Sequence, residues 1–131
     1  MDLSTTYLGL RLPHPLMPGA SPLADSLDTA RRLEDAGAAA IVLRSLFEEQ
    51  ITRERDGLGH HMEAHEESYA EALSYFPKAD EFVFGGEAYL NQIRKLKAAV
   101  KVPVIASLNG ITNAGWLSEA KNMEQAGADA L

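Results

Sequence analysis

The stretch Val102–Gly110, VPVIASLNG, most constrains how this 131-residue chain folds. Pro103 has no backbone N–H to donate, so it belongs at the start of a strand, and the apolar residues after it fill both faces of a covered sheet. The run then ends in the small polar residues Ser107 and Asn109. Ligands of parallel α/β sheets bind at the carboxyl ends of the strands. The stretch therefore predicts a buried parallel strand that ends at a binding site.

The same design occurs twice earlier in the chain. Leu16–Ser21 (LMPGAS) and Ile41–Ser45 (IVLRS) are also apolar runs that end in a serine. Since carboxyl ends of parallel strands share one edge of a sheet, we expect Ser21, Ser45 and Ser107 at one rim. The structural alternative is that each hydroxyl merely caps the chain where its strand ends.

Apolar residues at helical spacing predict three helices between these strands. They are a helix that Asp25 or Ser26 caps and that runs to Ala36, a helix over Glu87–Val100, and a helix that Thr112 or Asn113 caps and that Gly127 ends. In the third helix, the spacing predicts that Leu117, Ala120 and Met123 face the core.

Two copies of one short pattern support this division of the chain. Glu34–Ala40 (EDAGAAA) and Glu124–Ala130 (EQAGADA) match in most positions. In both copies the glycine, Gly37 or Gly127, is suited to end a helix, and apolar residues follow at once. The second copy predicts a fourth strand over Ala128–Leu131. The chain therefore consists of successive β-α units.

Two stretches depart from this pattern. At the N-terminus, short extended segments flank Gly9 and predict either a short extended entry or a hairpin over residues 5–12. From about 46 to 79, charged residues and histidines interrupt the pattern, which indicates an excursion loop. His61 and His65 lie four residues apart, but the glutamate between them is one position late for a metalloprotease base. We therefore expect a solvated loop there and no metal site.

Successive β-α units with right-handed crossovers form either an open doubly wound sheet or a closed barrel. The phosphate-binding fingerprints GxGxxG and GxxxxGK[ST] are missing from the sequence. Serines at successive strand ends favour a barrel, and a complete (β/α)8 barrel takes about 250 residues. The predicted fold class is α/β, and residues 1–131 are predicted to form the N-terminal half of a single TIM (β/α)8 barrel domain with parallel strands.

The composition of the chain indicates which classes of binding partner it can have. The chain has 19 acidic and 12 basic residues and a net charge of −7, which repels nucleic acid and anionic lipid. It has no cysteine, and its longest apolar run, Ala36–Leu43, is too short to span a bilayer. We expect a small-molecule substrate, no nucleic acid, no membrane and a cytoplasmic location; a homodimer remains open.

Four segments of the chain together resemble one enzyme family. They are DLSTTYLGLRLPHPLMPGAS, RRLEDAGAAAIVLRSLFEEQ, EALSYFP and PVIASLNGITNAGWLSEAKNMEQAGADAL, and they cover nearly all of the sequence. The family is that of the FMN-dependent dihydroorotate dehydrogenases, class 1 in particular, with their dehydrogenase-like relatives. The resemblance implies a flavin cofactor, FMN, at the barrel rim.

The resemblance also implies which residues contact the flavin. The cofactor-binding residues that it implies are Ala20, Ser21, Arg44, Ser45, Ser107 and Asn109. Small residues at such a site let backbone groups approach the polar edge of the flat ring, and a nearby hydroxyl tunes its electronics. Arg44 stands where the family usually has lysine, and Asn109 replaces a usually smaller residue. A simple ion pair of Arg44 with Glu48 or Glu49 is the alternative.

The catalytic residue is not identified. In the family, the general base follows the fourth strand, which places it beyond Leu131, and asparagines that bind orotate normally follow the second strand. No asparagine occurs between Ser45 and Leu90. The substrate therefore stays open, and we expect the 131-residue chain alone to be inactive.

We interpret the protein as an FMN-dependent dehydrogenase acting on CH–CH bonds, which either oxidises dihydroorotate to orotate in pyrimidine biosynthesis or is a close relative with another substrate. An aldolase or isomerase on the same barrel is one alternative, because a fold does not fix a function. A non-catalytic barrel fragment that binds a partner through its sheet edges is another.

Overall fold

The computed structural model describes residues 1–48, 51, 86–110 and 112–131. They form a mixed α/β structure with small parallel sheets. In chain order the elements are β1 (Thr5–Tyr7), β2 (Leu10–Leu12), a 3₁₀ turn (Pro22–Asp25), α1 (Leu27–Asp35), β3 (Ile41–Val42), β4 (Leu46–Phe47), α2 (Gly86–Ala99), β5 (Val104–Ile105), β6 (Leu108–Asn109) and α3 (Asn113–Gln125).

Residues 46–47, at the start of the predicted excursion loop over about 46–79, form the short strand β4. β4 pairs in parallel with β6. Apart from residues 46–48 and Ile51, the predicted loop, with His61 and His65, lies outside the described residues.

Of the two alternatives predicted at the N-terminus, the structure has the hairpin. β1 and β2 pair antiparallel, and Leu8 and Gly9 between them both have positive φ, 51° and 77°. Two such residues form the primed turn whose twist matches that of a hairpin. At its far end Leu12 is buried against Ala40 and Ile105. The hairpin therefore covers one side of the sheet core.

The helices α1 and α3 begin directly after residues that the sequence predicts as their N-caps. The Ser26 Oγ accepts a hydrogen bond from the Thr29 N–H at 3.4 Å, before α1. The Thr112 Oγ1 accepts one from the Gly115 N–H at 3.1 Å, before α3. Each cap satisfies one of the backbone donors that a helix start leaves unpaired.

The repeated sequence pattern makes the same structure twice. After α1, the Gly37 N–H donates to the Glu34 carbonyl at 2.8 Å and the Ala38 N–H donates to the Leu33 carbonyl at 3.0 Å. Two equivalent bonds follow α3, and Gly37 and Gly127 have φ of 92° and 101°. This pair of bonds is the Schellman motif, which needs a left-handed residue after the helix. Each copy therefore ends its helix and turns the chain towards the sheet.

The third helix buries a different face from the predicted one. Leu117 is 57% exposed, whereas Glu119, Met123 and Ala126 are buried. The spacing of apolar residues in this helix fits more than one face, and packing against α2 and β6 selects the face that runs through Met123. The prediction for Leu117 is therefore wrong, that for Met123 is confirmed, and Ala120 is half-buried.

The extended segments lie side by side in the order in which they occur in the chain. The Ala39 N–H, just before β3, donates to the Leu16 carbonyl at 3.0 Å. β3 pairs in parallel with β5, and Ile105 in β5 forms a parallel bridge with Ala130. The spatial order is thus the segment at Leu16, then β3, then β5, then the segment at Ala130.

The outer two of these segments are less regular than predicted. Leu16–Ser21 is not a strand, and Leu16 is 70% exposed. Pro15 and Pro18 on either side of Leu16 have no N–H to donate, which prevents a continuous ladder there. At the other side, Ala130 alone of the predicted Ala128–Leu131 strand forms a bridge.

Candidate functional site

A β-bulge lies at the end of the second extended segment. β3 pairs with β5 and β4 pairs with β6, both in parallel, but the register shifts by one residue between the two pairs. Between them, Leu43, Arg44 and Ser45 face only Ala106 and Ser107. One extra residue in one strand breaks the ladder and re-aims side chains, and such bulges are frequent beside active sites.

The bulge brings two of the predicted residues together. The Oγ atoms of Ser45 and Ser107 are 2.7 Å apart, and both side chains are half-buried. If the register of β3 and β5 continued past Val42 without the bulge, Arg44 rather than Ser45 would lie opposite Ser107. Because this hydrogen bond uses one of the two hydroxyl hydrogens, the other hydrogen and several lone pairs remain for a ligand.

A buried tyrosine from α2 holds the backbone of Ser107. The Tyr89 hydroxyl accepts a hydrogen bond from the Ser107 N–H at 3.0 Å and donates one to the Ser107 carbonyl at 3.2 Å. The same carbonyl accepts the Leu46 N–H at 2.9 Å. Tyr89 is 2% exposed, and burial raises its pKa to about 12. Its phenol is therefore neutral at physiological pH and does not act as a base.

Arg44 forms an ion pair with Asp25. The Arg44 Nε lies 3.4 Å from the Asp25 Oδ1, and the two side chains are 30% and 26% exposed. This Oδ1 is buried and has no hydrogen-bond partner within the part of the chain that the structure describes. Burial raises the pKa of Asp25, and the positive charge of Arg44 opposes that rise. The sequence offered Glu48 or Glu49 for this ion pair and did not indicate Asp25.

The turn that carries Asp25 is fixed by α2. The buried Gln92 side chain donates through Nε2 to the Ala24 carbonyl at 3.0 Å and to the Asp25 carbonyl at 2.9 Å. Tyr89 and Gln92 are three residues apart and so lie on one face of α2. One helix face therefore positions both the serine pair and the Asp25 turn.

The three other predicted cofactor residues are Ser21, Ala20 and Asn109. The Ser21 Oγ accepts the Leu23 N–H at 3.4 Å and caps the 3₁₀ turn, which is the capping role left open for the strand-end serines. Ala20 is exposed just before it. Asn109 is exposed in β6, opposite Phe47. The structure thus joins Ser45 to Ser107 and Arg44 to Asp25, and it leaves Asn109 at the solvent-facing edge.

Glu48 occupies the N-terminus of α3. Its carboxylate accepts the Thr112 N–H at 2.8 Å and the Thr112 hydroxyl at 2.5 Å. A carboxylate at a helix N-terminus is stabilised by the backbone dipoles there. Because a protein carboxylate already fills this position, a phosphate group of a cofactor is expected to bind elsewhere.

The site combines hydroxyl donors and acceptors with one cation. The serine pair can donate to a carbonyl and accept from an N–H, while Arg44 supplies positive charge beside it. This set suits the edge of a planar ring on which carbonyl and N–H groups alternate. Among the described residues no group of three His, Asp or Glu side chains is placed to hold a metal.

Three supporting residues were not predicted as part of the site: Asp25, Tyr89 and Gln92. Asp25 appeared only as a possible helix cap. Tyr89 and Gln92 could have been found from one signal, since they place polar atoms on the α2 face that Ile93 and Leu96 bury. The backbone groups that Tyr89 and Gln92 contact depend on the register of the sheet, and the pattern of polar residues on α2 gives no information about that register.

The sequence comparisons do not assign the chain to a family. No helix in the described ranges is long and apolar enough to cross a membrane. No protein-family model matches the chain, and no curated protein matches it.

Proposed function

We propose that this chain is the N-terminal half of a (β/α)8 barrel that binds FMN and belongs to an FMN-dependent dehydrogenase acting on CH–CH bonds. The observation that carries the proposal is the Ser45–Ser107 hydroxyl pair, which lies at a bulge where two neighbouring parallel strands end. The sequence resemblance to the dihydroorotate dehydrogenases supports the same cofactor.

The order of the extended segments supports the barrel. A barrel adds each strand beside the previous one, whereas a doubly wound sheet reverses its order at a switch point. Here the segments at Leu16, β3, β5 and Ala130 follow one another in space as in sequence. That order is the one that a barrel requires.

The residues present fit the polar edge of a flavin ring. The pyrimidine side of the ring alternates carbonyl and N–H groups, which match the donors and acceptors of the Ser45–Ser107 pair. Arg44 would add positive charge near that edge, and Ala20 would leave room for the ring. When bound, the flavin supplies the hydride acceptor, while these side chains bind and orient it.

The proposed substrate is a small molecule held against the ring. The resemblance favours dihydroorotate, with orotate as product and a cytoplasmic location. The lack of asparagine between Ser45 and Leu90 equally favours a relative with another substrate. A general base is proposed to lie beyond Leu131, as in the family.

The aldolase alternative needs a lysine at the site to form a Schiff base. Lys97 instead bonds to Asp129, whose carboxylate also accepts the N–H of Val104, the first residue of β5. Lys101 also precedes β5. Both lysines thus lie towards the start of the strands, at the end away from the serine pair.

The test is an FMN titration of the longest open reading frame that contains this sequence, followed by flavin fluorescence. We expect micromolar or tighter binding, weakened at least about tenfold by Ser107→Leu, because leucine removes a hydroxyl and fills the ring space. Ser118→Leu, at an exposed serine on α3, is the matched control and should bind as the wild type does. A wild type that binds no FMN, or a Ser107→Leu variant that binds it normally, would overturn the proposal.

A further inference from the structure

We propose that Tyr89 is a positioning residue for the Ser45–Ser107 pair. Its hydroxyl takes the place of the strand backbone that would otherwise bond to Ser107 at the bulge, and so holds the two serines in the geometry that a ligand contacts. The identity of the ligand, FMN, rests on the proposed function. The positioning itself follows from the backbone contacts around Ser107.

The first step concerns the direction of the Ser107 N–H. In an extended strand the N–H and C=O of one residue point to the same neighbouring strand. The Ile105 and Ser107 carbonyls accept the N–H groups of Leu43 and Leu46, both on the second extended segment. The Ser107 N–H therefore points to that segment as well. It meets the bulge there and donates to the Tyr89 hydroxyl at 3.0 Å.

The second step concerns what the hydroxyl does in the gap. One phenol oxygen accepts from the Ser107 N–H and donates to the Ser107 carbonyl, so it pairs with both backbone groups of that residue. The neutral phenol offers both a donor and an acceptor, whereas a phenolate could only accept. The ring is 2% exposed and is held in the core cluster with Ile93 and Leu96. The position of the hydroxyl is therefore set by the packing of the helix, independently of the strand to which it bonds.

The third step links this contact to the serine pair. The two Oγ atoms are separated by 2.7 Å, the usual distance for an O–H···O bond, which weakens steeply when the geometry is disturbed. Loss of the Tyr89 hydroxyl would leave the partly buried N–H of Ser107 without this acceptor and free the strand end to shift. The separation of the serine hydroxyls would then no longer be fixed.

The experiment compares Tyr89→Phe with Ile93→Val in the longest open reading frame that contains this sequence. Both residues are buried on α2. Tyr89→Phe removes one oxygen atom from the core, and Ile93→Val removes one methyl group. Three quantities are measured: amide hydrogen exchange at Ser107, the FMN dissociation constant, and the midpoint potential of the bound flavin.

We expect Tyr89→Phe to speed exchange at Ser107 by at least about tenfold relative to Ile93→Val and to weaken FMN binding about tenfold. The midpoint potential should fall, because a displaced hydroxyl pair stabilises the reduced ring less well. Ile93→Val should leave the potential unchanged, since it alters packing without touching Ser107.

Unchanged Ser107 exchange in Tyr89→Phe would overturn the proposal. Faster exchange with unchanged FMN affinity and potential would also overturn it, because Tyr89 would then support only the strand. A wild type that binds no FMN would overturn the proposed function and, with it, the role of the pair in contacting this ligand. In that case the exchange rates still decide whether Tyr89 holds the bulge.

Discussion

The carboxylate of Glu48 occupies the space into which a side chain at Gly115 would project. A Cβ atom at Gly115 would overlap the Glu48 Oε1 and also crowd the Thr112 hydroxyl, which bonds to the same carboxylate. A larger residue at position 115 would therefore require the Glu48 side chain, which is distant in sequence, to move.

Gly115→Ala is expected to lower the free energy of unfolding by at most about 1 kcal/mol, because the added methyl group must displace the Glu48 carboxylate from its exposed hydrogen bonds to Thr112. Urea denaturation measures the change. Gly86→Ala is the matched control, since among the described residues a Cβ there meets Ile51 alone, at 3.6 Å, an ordinary contact. The control should be neutral or gain up to about 1 kcal/mol in helix propensity.

The double variant Glu48→Ala with Gly115→Ala tests the same contact by coupling. With the carboxylate gone, the alanine at 115 has space, so the two losses in stability should sum to more than the loss in the double variant. Additive losses would show that the loss in Gly115→Ala has another cause.

Asp129→Ala is expected to cost more than Lys97→Met. The Asp129 carboxylate accepts from the Lys97 Nζ at 2.7 Å and from the N–H of the buried Val104 at 2.7 Å. Removing the carboxylate leaves a buried N–H unpaired, at about 1–3 kcal/mol. Removing the lysine loses only a partly exposed ion pair, at most about 1 kcal/mol. Equal losses in urea denaturation would contradict this account.

The Asp25 carboxyl predicts a dependence of stability on pH. Burial raises its pKa above the ordinary 3.8, so the native state binds this proton more tightly than the unfolded state does. Its contribution therefore favours folding at low pH and is lost as pH rises above 3.8. The stability of wild type relative to Asp25→Asn should fall as pH rises from acid to neutral. A difference that is flat or rises with pH would refute this assignment.

Tyr89 predicts a loss of stability in alkali. Its pKa is raised from 10.0 to about 12, so its contribution is complete below pH 10 and is lost as pH rises through about 12. Tyr89→Phe should remove this loss in urea denaturation at a series of alkaline pH values. It should also abolish the tyrosinate that appears near pH 12 in an absorbance titration. A titration unchanged by the substitution would place the high pKa on another residue.

The 131-residue chain expressed alone is expected to show no bound yellow flavin and no micromolar affinity for FMN. In (β/α)8 enzymes the phosphate is commonly held after strands seven and eight, and charge-assisted bonds of this kind contribute about 1.5–3 kcal/mol each. In the longest reading frame that contains the sequence, Ser21→Leu should weaken binding. Micromolar binding by the 131-residue chain would mean that the phosphate site is misplaced.

Features that depend on neighbouring residues in sequence could be predicted. The hairpin at Gly9, the caps Ser26 and Thr112, and the helix ends at Gly37 and Gly127 all follow from short patterns. Each of them satisfies backbone groups within a few residues, so tertiary structure had little to add.

Features that depend on register could not be predicted. Ser45 and Ser107 were both expected at the rim, but their contact arises from a bulge that no local pattern marks. The same holds for Asp25, which reaches Arg44 because Gln92 holds its turn in place. Long-range pairing decides these contacts, and apolar spacing alone does not specify it.

The bulge makes the site sensitive to the number of residues in a strand as well as to their identity. Deletion of one codon among Leu43, Arg44 and Ser45 would bring β4 into the register of β3. If Ser45 were the residue lost, Arg44 would stand opposite Ser107, and a cation would replace the second hydroxyl with no amino acid exchanged elsewhere. Homologues that differ by a single-residue gap here are therefore expected to differ in ligand, even where every flanking residue is identical.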